Sequence, residues 1–318
     1  MSEAHGEVSC TARLHLGFLD LTDRPGRRFG SIGLSLDAPR THVSVRRIGG
    51  QQDRVEGPEQ RRAVRLLAAI RTSLDLPGAH ELVVHQAVPA HAGLGSGTQL
   101  ALAVATALRG AHGLPSDLPG DAARLGRGGR SGIGILTFAQ GGLVVDGGVG
   151  PSGRIPPLLV RCAVPDSWRV LLVMDRTAAG LSGEQERAGF AALKPMSDAE
   201  SATLCRTLLM QALPALAEDD LQAFGDAIAA MQLALGRHFA PVQGGLFTSP
   251  RVAAAMEVLR RAGAVGIGQS SWGPTGFAFL RGDAAAEQAA AQARAACPGL
   301  DFTTHRALNR GAVIGGAD

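Results

Sequence analysis

The sequence contains no tyrosine, and lysine occurs once, at Lys194, so that its 31 basic residues are almost all arginine. The excess of positive charge is small, with a formal net charge of +3, and it does not indicate a nucleic-acid partner. Arginine differs from lysine in binding phosphate and carboxylate groups through paired hydrogen bonds. The composition therefore favours small anionic ligands over nucleic acid.

The sequence also lacks any apolar run close to the roughly 20 residues that span a bilayer, and residues 1–7 lack the basic start of a secretion signal. We therefore expect a cytoplasmic protein with no membrane partner. The cysteines show no CxxC spacing, which argues against a zinc site or a disulfide framework and predicts reduced thiols. They are Cys10, Cys162, Cys205 and Cys297.

Apolar periodicity divides the first half of the chain into interleaved strands and helices. It predicts strands at 8–21, 31–47 and 81–88, an amphipathic helix at 60–74 and a fully buried helix at 100–108. A strand predicted at 170–174 lies just after an expected boundary between two domains, at 1–165 and 166–318.

The second half is predicted to begin with turns and to end with a mixture of helices and strands. Turns are expected at 177–189, helices from 198 to 237 and at 250–261, and a loop at 266–273. A strand at 275–280, a helix capped by Asp283 and a last strand at 302–308 follow.

A glycine-rich loop separates the predicted strand at 81–88 from the buried helix. Its sequence is Gly93-Leu94-Gly95-Ser96-Gly97-Thr98. Glycine lets successive backbone N–H groups converge, and a helix N-terminus adds unpaired donors and the positive end of its dipole. The loop therefore predicts a phosphate site. The alternative is a tight strand-to-helix turn in which Ser96 or Thr98 caps the helix.

This loop resembles the phosphate-binding motif of the GHMP superfamily, named for galactokinase, homoserine kinase, mevalonate kinase and phosphomevalonate kinase. The segment 131–142, which ends in Gly-Gly, resembles a second motif of the superfamily. The resemblance implies an α+β fold of two lobes: an N-terminal domain like the second domain of ribosomal protein S5 and a ferredoxin-like C-terminal domain. Gly134 stands where kinases of the superfamily carry an aspartate expected to act as a base, and glycine has no side chain for that work.

Segments 12–21, 126–134 and 268–275 resemble one family of this superfamily, the β-ribofuranosylaminobenzene 5′-phosphate synthases. Trp272 and Pro274 lie where the kinases normally have a Gly/Ala-rich run. The resemblance implies that phosphoribosyl pyrophosphate reacts with 4-aminobenzoate or 4-hydroxybenzoate and that carbon dioxide and pyrophosphate are released, in tetrahydromethanopterin biosynthesis. It also implies a requirement for Mg²⁺ and a homodimer.

The resemblance implies a set of site residues. Asp20 is expected beside the developing sugar cation or on Mg²⁺, with His15 as a hydrogen-bond donor and Arg27 in the same pocket. Residues 93–98 would hold phosphate. The other residues expected to bind phosphate or the benzoate carboxylate are Arg13, Arg127, Arg130, Ser131, Ser270 and Ser271. Arg24 and Arg28 are near enough to Asp20 in the sequence to share its pocket.

Each of these residues also has a structural interpretation. Asp20 is equally typical of a turn at the end of a strand, and His15 of a histidine buried in a sheet. The arginines at 24, 27 and 28 fit a solvated loop, and the serines at 270 and 271 fit a turn before a strand. Two other functions remain open: an ATP-dependent small-molecule kinase of the superfamily and a non-catalytic regulator that binds a metabolite.

Overall fold

The computed structural model of the chain describes residues 5–178 and 183–315, and the side chains of residues 183–185 are not considered. Its N-terminal part contains six strands and four helices among these residues. They are β1 (His5–Asp20), β2 (Phe29–Ile48), β3 (Arg54–Glu56), α1 (Gln60–Ser73), β4 (Ala79–Gln86), α2 (Ser96–Ala111), α3 (Leu118–Arg124), α4 (Ile133–Gln140), β5 (Leu143–Asp146) and β6 (Leu158–Cys162).

The rest of the described chain is richer in helix. It comprises β7 (Trp168–Met174), α5 (Gly183–Ala192), α6 (Asp198–Thr207), a π-helical turn (Leu208–Ala212), α7 (Leu213–Ala217), α8 (Leu221–Gln243), α9 (Pro250–Arg261), β8 (Val265–Gln269), β9 (Thr275–Arg281), α10 (Asp283–Ala296), β10 (Asp301–His305) and β11 (Val313–Gly315).

The first sheet is built on the long antiparallel pair β1 and β2, whose alternating residues bury one face. Its order is β11-β1-β2-β4-β3, with β5 and β6 added beside the first part of β2. Helix α2 packs against β1 and β2, and every residue from 99 to 109 is buried. The predicted central buried helix is therefore confirmed, and its N-terminus lies at the glycine loop.

The second sheet is antiparallel with the order β10-β7-β9-β8. Numbered along the chain, this is the order 4-1-3-2 of a ferredoxin-like βαββαβ unit, so the predicted fold of the C-terminal lobe is confirmed. Alternate residues of β7 face opposite cores. Leu171 and Val173 contact the core under α9 and α10, whereas Val170 and Leu172 belong to a core shared with the first sheet.

The shared core joins the two lobes. It brings Leu14 and Leu34 of the first sheet together with Phe277 of the second sheet and Phe224 of α8 in one buried cluster. The last described strand, β11, also returns to the first sheet and pairs with β1. Chain order therefore does not divide the two lobes cleanly, because residues beyond the predicted boundary complete the N-terminal sheet.

Three predictions of local structure need correction. Residues 265–269 form β8 rather than a loop, since β9 supplies hydrogen-bond partners despite the two glycines of the segment. Helix α10 has Gly282 at its N-cap; Asp283 is its first residue and pairs with Arg169 instead of capping. Part of the predicted turn region is helix α5, while residues 179–182 lie outside the described part of the chain.

Two absences hold for the residues that the structure describes. None of their helices has the length and apolarity to cross a membrane. The four cysteines have free thiols, which confirms that they form no disulfide framework.

A buried ion pair fixes α3 to the end of α2, and α3 leads directly into the segment that carries Arg127 and Arg130. Arg109 binds Asp121 through two hydrogen bonds, of 2.6 and 2.9 Å, and both side chains are buried. Removing one member of such a pair leaves an unpaired buried charge, so Asp121→Ala should lower the free energy of unfolding by about 3–5 kcal/mol.

Urea unfolding would measure this loss. Glu257→Ala is the matched control, because it breaks an arginine–carboxylate pair that is exposed to solvent, and its loss should be far smaller. Equal losses for the two variants would show that the Arg109–Asp121 pair does not anchor α3.

Candidate active site

The glycine loop meets α2 without a capping side chain. Gly95 is the N-cap residue, with a φ of 80° in the left-handed region, and no side chain bonds to the first turn. The N–H groups of Thr98 and Gln99 bond to the Gly95 carbonyl, and those of Ser96 and Gly97 belong to the first turn, where an α-helix has no carbonyl to bond to them. Since neither Ser96 nor Thr98 caps the helix, the geometry favours an anion site over a simple turn.

Gly93 is the point at which three segments meet. Its carbonyl accepts hydrogen bonds from Arg13 Nη1 at 2.7 Å and from Ser270 Oγ at 2.8 Å. Ser270 Oγ in turn accepts from the backbone N–H of His15 at 3.0 Å. A Cβ on Gly93 would lie 2.4 Å from the Ser270 carbonyl oxygen, so this approach requires glycine. We call these four residues the glycine junction.

A cavity opens over the loop and carries mostly positive charge. Its charged arginines are Arg13, Arg62 and Arg127, and Glu186 is the acidic residue among them. We call it the loop cavity. Its lining is Arg13, Arg62, His91, Gly93, Gly95, Ser96, Gly97, Thr98, Arg127, Glu186, Ser271, Trp272 and Gly273. The side chains predicted at positions 13, 96, 98, 127 and 271 are therefore brought together.

Arginines of the loop cavity have N–H donors without a hydrogen-bond partner. The Nε groups of Arg13 and Arg127 are buried and have no hydrogen-bond partner. Burial lowers the pKa of Arg13 to about 10 and lowers that of Arg127 as well. Both side chains still carry a positive charge at neutral pH. A buried cation with a free donor is costly, and a bound phosphate would satisfy both the charge and the hydrogen bond.

Arg130 contacts one lining residue of the loop cavity and one of a second cavity, although it lines neither cavity itself. Its guanidinium is 4.4 Å from the centre of the Phe190 ring and 3.5 Å from a carboxylate oxygen of Glu186. One of its nitrogens, Nη1, is buried without a hydrogen-bond partner. Arg130 thus has an unused donor and touches residues of both cavities.

The second cavity is walled by aromatic and apolar side chains, and we call it the aromatic pocket. It shares Ser271 and Trp272 with the loop cavity. Its lining is His15, Gly17, Phe18, Phe190, Gln232, Leu235, Gly236, Phe239, Gln243, Leu246, Gln269, Ser271 and Trp272. Phe190 stacks on Trp272 with ring centres 4.5 Å apart, so α5 and the loop before β9 close one side.

Other predicted residues lie away from both cavities. Asp20 accepts hydrogen bonds from the N–H and the hydroxyl of Thr22. This is the turn at the end of a strand that the sequence allowed as the structural interpretation of Asp20. Arg27 is exposed and donates to the Gly148 carbonyl at 3.0 Å. Arg24 pairs with Asp198, and Arg28 lies over the ring of Phe29. Their predicted functional roles stay predictions.

Two serines of the predicted set, Ser131 and Ser270, hold backbone groups in place. Ser131 contacts Ser31 at 2.8 Å and accepts the N–H of Ile133, at the beginning of α4. Ser270 belongs to the glycine junction. Neither side chain lines the loop cavity, although Ser270 holds the carbonyl of Gly93 in place.

Several residues of the site were not predicted. Glu186 and Phe190 lie on α5, in a stretch interpreted as turns, so no periodicity pointed to them. Asp146 is fully buried and accepts from Ser31 and from the N–H groups of Gly132 and Gly148, at 2.8–2.9 Å. Burial raises the pKa of Asp146. The Asp-Gly-Gly run at 146–148 is the signal in the sequence that indicates such a turn.

Gly134 has no room for the aspartate found in kinases. A Cβ at this position would lie 2.9 Å from the methyl group of Thr98, and Gln99 donates to the Gly134 carbonyl at 2.9 Å. The side chain of Thr98 therefore occupies the space that a side chain at position 134 would need.

The residues that the structure describes include no cluster of three or more His, Cys, Asp or Glu side chains able to hold a metal ion. Glu186 is the carboxylate that lines the loop cavity. In the loop cavity, the protein would thus offer a divalent cation a single carboxylate, and the oxygen atoms of a bound substrate would have to supply the other ligands.

Comparisons with known proteins agree with this architecture. Residues 61–142 match the GHMP kinases N terminal domain family, and residues 212–299 match the GHMP kinases C terminal family. The chain is 31% identical over 288 residues to beta-ribofuranosylphenol 5′-phosphate synthase of Methanothermobacter thermautotrophicus, covering 84% of this chain and 86% of that one. It is 30% identical to the protein of the same name from Methanocaldococcus jannaschii, covering 86% and 88%.

The chain belongs to the beta-ribofuranosylphenol 5′-phosphate synthase family of the GHMP superfamily. Solved structures share the fold. Homoserine kinase from Cytophaga hutchinsonii superimposes with a TM-score of 0.73 at 16% identity, covering 99% of this chain and 98% of that one. Mevalonate diphosphate decarboxylase from Staphylococcus aureus gives 0.68 at 15% identity, covering 98% of each. The predicted family and two-lobed fold are confirmed.

The contact between Thr98 and Gly134 predicts a coupled pair. Gly134→Asp should lower the free energy of unfolding by about 1–3 kcal/mol, because the new side chain overlaps Thr98. Adding Thr98→Ala should recover part of that loss. Urea unfolding of the two single variants and the double variant measures the coupling, and strictly additive losses would show that the two positions do not compete for one space.

The burial of His15 predicts a pH dependence of stability. Burial and the nearby Arg13 and Arg130 lower the pKa of His15 from 6.5 to about 3. Between these values the unfolded chain holds a proton that the folded chain does not, so the free energy of unfolding falls as the pH falls from 6.5 toward 3. His15→Phe should remove this contribution, measured by urea unfolding at several pH values.

His85→Phe is the control, because His85 is exposed and its substitution should leave the pH dependence as it is. A pH dependence unchanged by His15→Phe would contradict a neutral, buried imidazole.

Proposed function

We propose that this chain transfers the phosphoribosyl group of phosphoribosyl pyrophosphate to 4-hydroxybenzoate or 4-aminobenzoate, with release of carbon dioxide and pyrophosphate. The observation that carries the proposal is the junction of two cavities, one lined by arginines over the glycine loop and one walled by aromatic rings. The name of the relatives, beta-ribofuranosylphenol 5′-phosphate synthase, fits the product of the 4-hydroxybenzoate reaction. The reaction class is pentosyl transfer.

The chemistry explains why the two cavities must adjoin. The bond between the anomeric carbon and pyrophosphate breaks, and pyrophosphate leaves with the electron pair. The ring carbon that carries the carboxylate forms the new bond to the anomeric carbon. Carbon dioxide then leaves, and the electrons of its bond restore the aromatic ring. No oxidant, reductant or nucleotide is consumed.

The loop cavity is proposed to hold the phosphates of the donor. Ser96 and Gly97, in the first turn of α2, line the cavity, and the Nε groups of Arg13 and Arg127 are charged donors that have no protein partner. Together they would stabilise the negative charge that grows on the departing pyrophosphate. Removing water from such a cavity strengthens each of these interactions.

Arg130 is proposed to bind the carboxylate of the aromatic acid, because it contacts Phe190 of the aromatic pocket and has a nitrogen without a hydrogen-bond partner. Glu186, its partner at 3.5 Å, would then face the positive charge that develops on the sugar. The sequence assigned that task to Asp20, whose carboxylate bonds to Thr22. We therefore propose Glu186 as the carboxylate at the reacting centre.

Mg²⁺ is proposed to accompany the donor rather than to occupy a site made by the protein alone. Magnesium is commonly held by one or two carboxylates and the phosphates of a substrate, and Glu186 supplies one carboxylate in the loop cavity. The ion would offset the charge of the pyrophosphate. We further propose that the protein is cytoplasmic, forms a homodimer and supplies tetrahydromethanopterin biosynthesis.

Release of labelled carbon dioxide tests this function directly. The protein is mixed with phosphoribosyl pyrophosphate, Mg²⁺ and carboxyl-labelled 4-hydroxybenzoate or 4-aminobenzoate, and we expect release that depends on all three. Turnover of ATP on an alcohol, with no release, would favour the kinase. Tight binding of phosphoribosyl pyrophosphate in calorimetry, with no product from either acid, would favour the regulator.

The donors of the loop cavity predict a specific kinetic effect. Arg127→Ala should raise the KM for phosphoribosyl pyrophosphate roughly tenfold or more, because a charge-assisted hydrogen bond to phosphate is lost. Arg176→Ala is the control, since Arg176 is exposed and pairs with Asp301 on the surface. Equal KM values for Arg127→Ala and the unmodified protein would remove Arg127 from the donor site.

A further inference from the structure

The polar groups of the aromatic pocket fall into two classes. The glutamine side chains already have hydrogen-bond partners within the protein. Gln232 donates to the Leu16 carbonyl and accepts a hydrogen bond from the N–H of Gln269. Gln269 binds the N–H of Thr248 and the Ser271 carbonyl. These residues shape the pocket and have little capacity left for a ligand.

His15 and Trp272 differ from the glutamines. His15 Nε2 and Trp272 Nε1 are buried and have no hydrogen-bond partner, and the two residues are 4% and 3% exposed. Both side chains line the aromatic pocket. A buried polar group without a partner is unusual and costly, so these two atoms are the places where a ligand would complete the pocket.

The protonation of His15 defines what it can bind. With a pKa of about 3, its ring is neutral throughout the physiological range. A hydrogen bond between the ring and the backbone of His15 itself acts to raise the pKa, and Nε2 has no partner, so we assign the ring proton to Nδ1 as the donor of that bond. Nε2 is then a hydrogen-bond acceptor, and its natural partner is an O–H or N–H group.

Aromatic rings form walls of the pocket around this acceptor. Phe18 lies against His15 with ring centres 4.5 Å apart, and Phe239 meets Trp272 edge to face at 5.1 Å. Aromatic rings favour such tilted and edge-to-face neighbours. Arg130 contacts Phe190 of the same pocket and has a buried nitrogen without a hydrogen-bond partner.

We infer that the aromatic pocket is the acceptor site and that His15 Nε2 accepts a hydrogen bond from the hydroxyl or amino group opposite the carboxylate. This inference rests on the proposed function. The group opposite the carboxylate donates electrons to the very ring carbon that attacks the sugar, and a hydrogen bond to Nε2 increases that donation. His15 is thereby a catalytic residue, acting as an acceptor rather than as the donor expected from the sequence.

Binding of ring analogues tests the inference without turnover. Calorimetry compares 4-hydroxybenzoate with benzoate, which lacks the hydroxyl, on the unmodified protein and on His15→Phe. The unmodified protein should bind 4-hydroxybenzoate about three- to tenfold more tightly than benzoate, as one hydrogen bond provides. His15→Phe should bind the two acids equally, whereas the control His85→Phe should keep the difference.

A second measurement uses only the unmodified protein, so it does not depend on whether a variant folds. In ¹⁵N NMR of the unmodified protein, Nε2 of His15 should shift when 4-hydroxybenzoate is added and should stay unshifted with benzoate. The inference is overturned if His15→Phe still binds 4-hydroxybenzoate more tightly than benzoate. It is also overturned if the Nε2 signal of His15 does not respond to the hydroxyl of 4-hydroxybenzoate. If carbon dioxide release is intact in that case, the proposed function stands without it. Absence of release from the unmodified protein overturns both.

Discussion

The site depends on the close approach of three backbones at Gly93. Its carbonyl accepts hydrogen bonds from Arg13 of β1 and from Ser270 in the turn after β8. A Cβ on Gly93 would collide with the backbone of Ser270. Because β1 belongs to the N-terminal lobe and β8 to the C-terminal lobe, this contact fixes one lobe against the other at the phosphate loop. The shared apolar core behind it gives the approach its stability. A rigid junction of this kind preorganises charges that would otherwise repel one another.

The junction also separates two environments that the chemistry needs side by side. On one side, Arg13 and Arg127 hold unsatisfied positive charge over a helix N-terminus. On the other side, burial keeps His15 neutral among aromatic rings. Glu186 lines the loop cavity and pairs with Arg130, which contacts Phe190 of the aromatic pocket. Burial is the main cause of the lowered pKa of His15, and the charges of Arg13 and Arg130 lower that pKa further.

Local patterns in the sequence were sufficient for much of the fold and for placing the glycine loop at the N-terminus of α2. The periodicity of 100–108 indicated a helix buried on every side, and the glycine loop indicated its N-terminus. Asp20 shows why the sequence could not predict the position of other side chains. The sequence around a carboxylate is the same whether that carboxylate faces a ligand or, as here, accepts a hydrogen bond from Thr22. Glu186 and Phe190 enter the site from α5 through tertiary packing alone, which short-range patterns do not record.

The central claim is that donor and acceptor occupy the two adjoining cavities. A crystal structure with pyrophosphate, Mg²⁺ and 4-hydroxybenzoate tests it most directly. We expect pyrophosphate on the N–H groups of Ser96 and Gly97 and on Arg127, and the ring of the acid between Phe18 and Trp272, with its carboxylate toward Arg130. Pyrophosphate bound away from the glycine loop, or a benzoate ring outside the aromatic pocket, would contradict the account.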